Sequence, residues 1–322
     1  MKETSPSRPD RSYAILGTGA LGGFYGSRLQ RAGLDVHFLV NSDYQQVCQS
    51  GLVVESVEGD FTLNPVKAYQ DVRQMPPCDV VVVTLKTTNN HLLPQLLPPV
   101  LKDSGVVLIL QNGLGVEAEV AKIVGDDRVM GGVCYIGSNK VGPGHIRHLG
   151  YGEISLGDYG PDYQPQGITK RMVQIAGDWE RAGITIEMAT DLLLVRWRKL
   201  VWNIPFNGLS VVLDARTDEM MASLEIRNLV EQLMREVVAG AERYIPNSFI
   251  DKMLYHTEKI NPYNTSMKLD YDRGKPLEVE AIFGNPLRAA TSAGADWPRI
   301  AMLYQQLQFL NAKKMAEIAK FT

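Results

Sequence analysis

The sequence has few groups that would hold a metal or a disulfide framework. Three cysteines, Cys48, Cys78 and Cys134, fall at no paired spacing in 322 residues, so neither a set of cross-links nor a zinc knuckle is expected. Five histidines, His37, His91, His145, His148 and His256, include no H-E-x-x-H pattern; His145 and His148 lie in a glycine-rich segment and read as surface residues, and no metal site is expected. Charge of one sign is also lacking: 33 basic against 36 acidic residues give a formal charge of −3, which offers nucleic acid no basic field and a membrane surface no Lys/Arg run. No apolar run approaches the roughly 18 residues of a spanning helix. Residues Met1 to Asp10 are polar and proline-bearing, without the apolar core of a signal peptide. They read as a disordered tail, and the chain as cytoplasmic, with neither nucleic acid nor membrane as partner. What remains, 45% apolar and 21% charged residues, suits two buried cores at this length.

The clearest motif follows the tail. Ser12 to Leu16 is a short apolar run leading into Gly17-Thr18-Gly19-Ala20-Leu21-Gly22, then a helix-compatible stretch to Arg31 with a stop at Gly33 and a second strand from Asp35 to Val40. A lone G-x-G-x-x-G means little, but strand, glycine turn, helix and strand in that order read as a dinucleotide-binding unit. Gly17 permits the tight turn, Gly19 lets the backbone approach a pyrophosphate, and Gly22 allows close helix packing, with the helix N-terminus facing the phosphates. The end of the second strand normally reads the ribose, and here it is Val40-Asn41-Ser42-Asp43. No acid at the strand end argues against NAD, and Asn41 and Ser42 are hydrogen-bond donors for a 2′-phosphate, so NADP is preferred. Asp79 to Leu85 and Val106 to Leu110 read as buried parallel strands. They end in Lys86-Thr87-Thr88 and Gln111-Asn112-Gly113, at the edge where open parallel sheets bind ligands. Further strands are expected over Val129–Asn139, Ile146–His148, Glu153–Leu156 and Ile184–Met188, with a helix over Thr169–Ala182. The expected fold is α/β: a Rossmann-type doubly wound sheet over residues 11–190, followed by an all-helical domain over 191–322.

Helical periodicity dominates from Asp191 onward. In Trp197-Arg198-Lys199-Leu200-Val201-Trp202-Asn203-Ile204-Pro205-Phe206-Asn207 a lysine and two amides recur every fourth residue, and at about 100° per residue they share one face of a helix. The spacing alone fits a solvated face; it also fits a polar ligand, with an ammonium placed to stabilise and protonate an oxyanion. Pro205 is expected to kink or end the helix and so to put the reach of Asn207 in question. A long helix is expected over Thr217–Tyr244, a shorter one over Ser248–Ile260, and a last one from Pro298 towards Lys320. A further one, starting at Pro276, would carry Glu278 and Glu280.

These residues resemble the ketopantoate reductase (2-dehydropantoate 2-reductase) family over nearly the whole chain from Tyr13. The resemblance rests on the glycine turn, Thr84-Leu85-Lys86, Gln111-Asn112-Gly113, Trp197-Arg198-Lys199 with Asn203 and Asn207, and Asn264-Thr265-Ser266-Met267 followed by Glu278. It implies reduction of the ketone of 2-dehydropantoate by NADPH to (R)-pantoate for coenzyme A synthesis, with a helical domain serving substrate binding and dimerisation, and a homodimer. It implies Lys199 as catalytic lysine, Glu278 as acidic substrate-binding residue, Asn203, Asn207 and Ser266 as substrate contacts, and Lys86 and Asn112 near the cofactor and the substrate carbonyl. The family commonly carries an arginine near the position of Asn41, which this chain lacks. The competing expectations are a reductase of another 2-keto acid and a non-catalytic NADP(H)-binding regulator.

Overall fold

The computed structural model describes residues 11–259 and 262–320; the tail expected to be disordered over residues 1–10 lies outside them, as does the expected end of a helix at Ile260. The described chain forms two compact units. One is the chain up to Gln111 together with Val116–Leu192; the other is Asn112–Gly115 together with the chain from Leu193 onward.

The first unit is a ten-stranded sheet with its helices: β1 (Ser12–Leu16), β2 (Asp35–Leu39), β3 (Leu52–Ser56), β4 (Phe61–Leu63), β5 (Ala68–Tyr69), β6 (Cys78–Val83), β7 (Leu101–Ile109), β8 (Val129–Gly142), β9 (His145–Asp158) and β10 (Ile186–Ala189). The strand order is β4-β3-β9-β8-β7-β6-β1-β2-β5, with β10 pairing β9. The valine run of β6 is fully buried, as a parallel strand covered on both faces must be. Beside it β2, β1, β6 and β7 run parallel, and Leu39, Leu16, Val83 and Ile109 are successive partners at their carboxyl ends. Four loops therefore start from one edge of the sheet. The unit's helices are α1 (Ala20–Arg31), α2 (Tyr44–Ser50), α3 (Leu93–Leu96), α4 (Val116–Val124) and α5 (Lys170–Arg181). Thr169 caps α5 by accepting from the Met172 amide at 3.2 Å.

Two expectations change here. Ile146–His148 and Glu153–Leu156 are one strand, β9, because the glycines between them bulge instead of turning. Gly150, Tyr151 and Gly152 take φ of 155°, 61° and 133°, and the β8–β9 register slips on either side of them. His148 is buried, not on the surface: its ring nitrogens pair with the Ser56 hydroxyl and the Tyr151 carbonyl, each at 2.8 Å.

The second unit is helical: α6 (Leu192–Val212), α7 (Thr217–Ala222), α8 (Leu224–Gly240), α9 (Ser248–Lys259), α10 (Ser266–Asp272), a π-helical turn (Glu280–Gly284), α11 (Asn285–Ser292) and α12 (Pro298–Ile318). Pro205 does not end α6, which is continuous through it. The expected helix over Thr217–Tyr244 is two helices, separated where Ser223 caps α8 by accepting from the Ile226 amide at 3.3 Å. No helix begins at Pro276: residues 275–278 are non-helical and the helix starts at Val279. Among the described residues no helix is long and apolar enough to cross a membrane.

Candidate active site

In the first unit, the ligand edge of the sheet carries the glycine turn. Gly17 has φ of 105°, a left-handed conformation glycine adopts freely, and a Cβ there would lie 2.8 Å from the Leu85 nitrogen. At Gly22 an added Cβ would lie 2.2 Å from the Gly17 carbonyl oxygen and 2.5 Å from Thr84 Oγ1. Gly19 is different: its added Cβ meets nothing within 4 Å, so the backbone there is open to a ligand. The turn is braced from two strands. Thr18 donates its hydroxyl to the Leu39 carbonyl at 2.9 Å, and Thr84 donates to the Gly17 carbonyl at 2.6 Å. Ala20 and Leu21 open α1, whose first turn has no acidic residue and no side-chain cap, so its positive end stays uncompensated and suits an anion. The residues present thus fit the pyrophosphate of a dinucleotide. Beyond β6, Lys86 is half-buried and its carbonyl accepts from the Asn89 amide. Gln111 ties that loop to the end of β7 by donating to the Leu85 carbonyl at 2.8 Å and to Asn90 Oδ1 at 2.7 Å. Asn41 and Ser42 are exposed just past β2.

In the second unit, the α6 stripe is not a solvated face. Asn203 and Asn207 are each 3% exposed and Lys199 is half-buried. The Lys199 ammonium lies 5.8 Å from the centre of the Trp202 ring, a cation–π contact that restrains it from three residues along the helix. Asn203 Nδ2 donates to Asn112 Oδ1 at 3.4 Å, and Asn207 Oδ1 accepts from the Met267 amide at 3.4 Å. The latter contact holds the start of α10 beside α6, as does the 2.8 Å bond between the Ser210 and Thr265 hydroxyls. Ser266, half-buried, is the first residue of α10. Glu278 is 3% exposed, on the non-helical lead into the π-helical turn. Glu280, two residues on, is exposed and engaged with Tyr304 and Arg288 at 2.5 and 3.0 Å. Burial works against its charge, but these hydrogen bonds hold the Glu280 carboxyl below its usual range. Of the two acids, Glu278 is the buried one and Glu280 a surface partner of arginine.

Asn112 owes its place to a helix irregularity that the sequence motifs did not signal. The Asn285 amide reaches back five residues to the Glu280 carbonyl, and Pro286 has no N–H to offer the Ala281 carbonyl. The Leu114 amide takes that carbonyl at 2.9 Å, and Asn285 Nδ2 donates to the Leu114 carbonyl at 2.7 Å. Gly113, φ 96°, lies so close that a Cβ would be 2.4 Å from the Ala281 oxygen. The signal in the sequence was Asn285-Pro286 directly after Gly284, a dipeptide that breaks regular helix. Thus Asn112 with Asn203, and Asn207 with the start of α10, are brought together; Gly17 to Gly22, Asn41 and Lys86 stand at the sheet edge of the other unit.

The comparisons with known proteins agree along most of the chain. The family model of ketopantoate reductase PanE/ApbA matches residues 13–161, and that of its C-terminal part matches residues 191–311. A 2-dehydropantoate 2-reductase of Nostoc sp. is 62% identical over 307 residues, 94% of this chain and 96% of that protein. The crystal structure of a 2-dehydropantoate 2-reductase from Geobacter metallireducens is 40% identical and superimposes with a TM-score of 0.89, over 92% of this chain and 99% of the other. That from Methylococcus capsulatus is 30% identical with a TM-score of 0.84, over 94% and 97%. With the glycine turn, the buried amide stripe and both halves of the chain matched, this protein belongs to the ketopantoate reductase family.

Proposed function

We propose that Lys199 is the proton donor, and NADPH the preferred reductant, in the family's reaction, which this chain carries out: reduction of 2-dehydropantoate to (R)-pantoate in coenzyme A biosynthesis. The observation that carries the site reading is the burial of Asn203 and Asn207 on the helix face that bears Lys199. Amides are rarely placed in so dry a setting without partners. When bound, the nicotinamide supplies a hydride to the C2 carbonyl carbon. The Lys199 ammonium stabilises the oxygen as it gains charge and then gives it a proton, so that one hydride and one proton convert the ketone to a secondary alcohol. Asn112, held by Asn203, orients the carbonyl. Asn207 and Ser266 donate to the substrate, and Glu278 accepts from its hydroxyl.

Glu278→Gln is expected to raise KM for the keto acid by roughly ten- to a hundredfold, the worth of a hydrogen bond to a charged group, with a smaller change in kcat. A KM within twofold of the parent removes Glu278 from the substrate site. For the cofactor, initial rates with 2-dehydropantoate are expected to give kcat/KM at least about tenfold higher with NADPH than with NADH, because a site built around a 2′-phosphate rejects the analogue lacking it. Equal values would leave a reductase indifferent to that phosphate. A panel of 2-keto acids in the same assay checks the substrate, with 2-dehydropantoate expected to give the highest kcat/KM.

A further inference from the structure

Asp43 lies two residues beyond the place where an acid would select NAD by bonding the ribose hydroxyls and repelling a 2′-phosphate. It is not available for either role. Its side chain is 7% exposed; one oxygen takes Lys140 Nζ at 2.5 Å and the Gly144 amide at 2.8 Å, and the other takes the Ser42 hydroxyl at 2.8 Å. Burial works against the charge, yet these donors hold the carboxyl below its usual range, so it stays an anion whose partner is Lys140. Lys140 comes from the far end of β8, and Gly144 from the turn into β9. The tip of that hairpin is thereby folded onto the exposed Asn41-Ser42 loop, all within the first unit. The Lys140 side chain keeps 31% of its surface exposed, beside a loop that has no arginine of its own.

We infer that Lys140 is a specificity-determining residue for the dinucleotide: by neutralising Asp43 and presenting its ammonium beside Ser42, it makes the end of β2 accept a 2′-phosphate. The inference rests on the NADPH reading above and gives it a residue. Its logic is that of opposing charges in one place. With Lys140, the two charges cancel; without it, an uncompensated carboxylate lies two residues from the place of the 2′-phosphate.

The test is equilibrium binding of NADP+ and NAD+, read by tryptophan fluorescence or calorimetry without keto acid, on the full chain. Lys140→Met is expected to weaken NADP+ about tenfold or more and NAD+ by no more than about twofold. Asp43→Asn with Lys140→Met removes both charges and is expected to restore NADP+ to within about threefold of the parent. Asp43→Asn alone leaves the cation and is expected to keep or tighten NADP+ binding, which keeps the proposal testable if Lys140→Met does not fold. An equal loss of both dinucleotides in Lys140→Met, no recovery in the double variant, or weaker NADP+ binding in Asp43→Asn would each overturn the inference. A parent protein that binds NAD+ as tightly as NADP+ defeats the NADPH reading itself; a parent that prefers NADP+ by a ratio Lys140→Met leaves unchanged defeats only the role of Lys140.

Discussion

Lys199→Ala is expected to lower kcat with 2-dehydropantoate by roughly two to four powers of ten, the range for a positioned acid–base group. The dinucleotide Kd should stay within about twofold, since the glycine turn and the loops after β2 and β6 belong to the other unit. Lys199→Arg separates the two duties given to the ammonium. A guanidinium keeps the charge that stabilises the developing oxyanion but does not release a proton at any working pH. The arginine variant should therefore recover part of the loss and remain at least about tenfold below the parent. Because Lys199 is only half-buried, thermal unfolding should shift little in either variant. Near-parental kcat in Lys199→Ala would take the lysine out of the chemistry and leave its stripe a packing feature.

The second large effect is expected at the glycine turn, where neighbouring glycines serve different ends. Gly22→Ala puts a methyl group 2.2 Å from the Gly17 carbonyl oxygen. A backbone atom cannot swing aside as a side chain can, so α1 must back away from β1. Overpacking of this kind costs about 1–3 kcal/mol of stability and pulls the helix N-terminus from the phosphates, so Tm should fall by several degrees and dinucleotide Kd rise by roughly thirtyfold or more. Gly19→Ala meets no atom within 4 Å and should leave Tm unchanged, yet it fills the space through which the backbone approaches the pyrophosphate. Dinucleotide binding should weaken while stability holds. Differential scanning fluorimetry beside a binding titration resolves the pair, and a Gly19→Ala variant that binds as the parent does would remove that glycine from the cofactor site.

The parts of this fold that were legible in the sequence are those fixed by short-range constraints. Ser12–Leu16, the glycine turn and α1 follow from a short apolar run and three glycines, and the polar residues after Leu85 and Leu110 announce the ligand edge. The stripe of α6 was legible as a spacing, and its apolar and aromatic neighbours pointed to a drier setting than water, but its full burial depends on what packs against it. Pro205 shows how packing decides. A proline inside a helix loses a hydrogen bond and crowds the preceding turn at a cost of about 3 kcal/mol, but Val201, Ile204 and Phe206 are fully buried around it at about 1.5–3 kcal/mol each, so the helix continues. Glu278 was legible as a residue and misread in its setting: Pro276 can open a helix, but the one that forms begins three residues later. The contact of Asp43 with Lys140, ninety-odd residues on, has no local signature at all.

The bond from the Leu114 amide to the Ala281 carbonyl also bears on how such a protein can be inherited. A gene that exchanged its second half with a relative at a single crossover near Leu192 would import α6 to α12 with a foreign Asn112–Gly115. The helical half would then close on a donor chosen for another proline-broken helix. Residues 112–115 and 193–320 are thus one heritable module written in two places, and successful recombinants must exchange both or keep the Gly113 and Asn285 contacts alike in each parent.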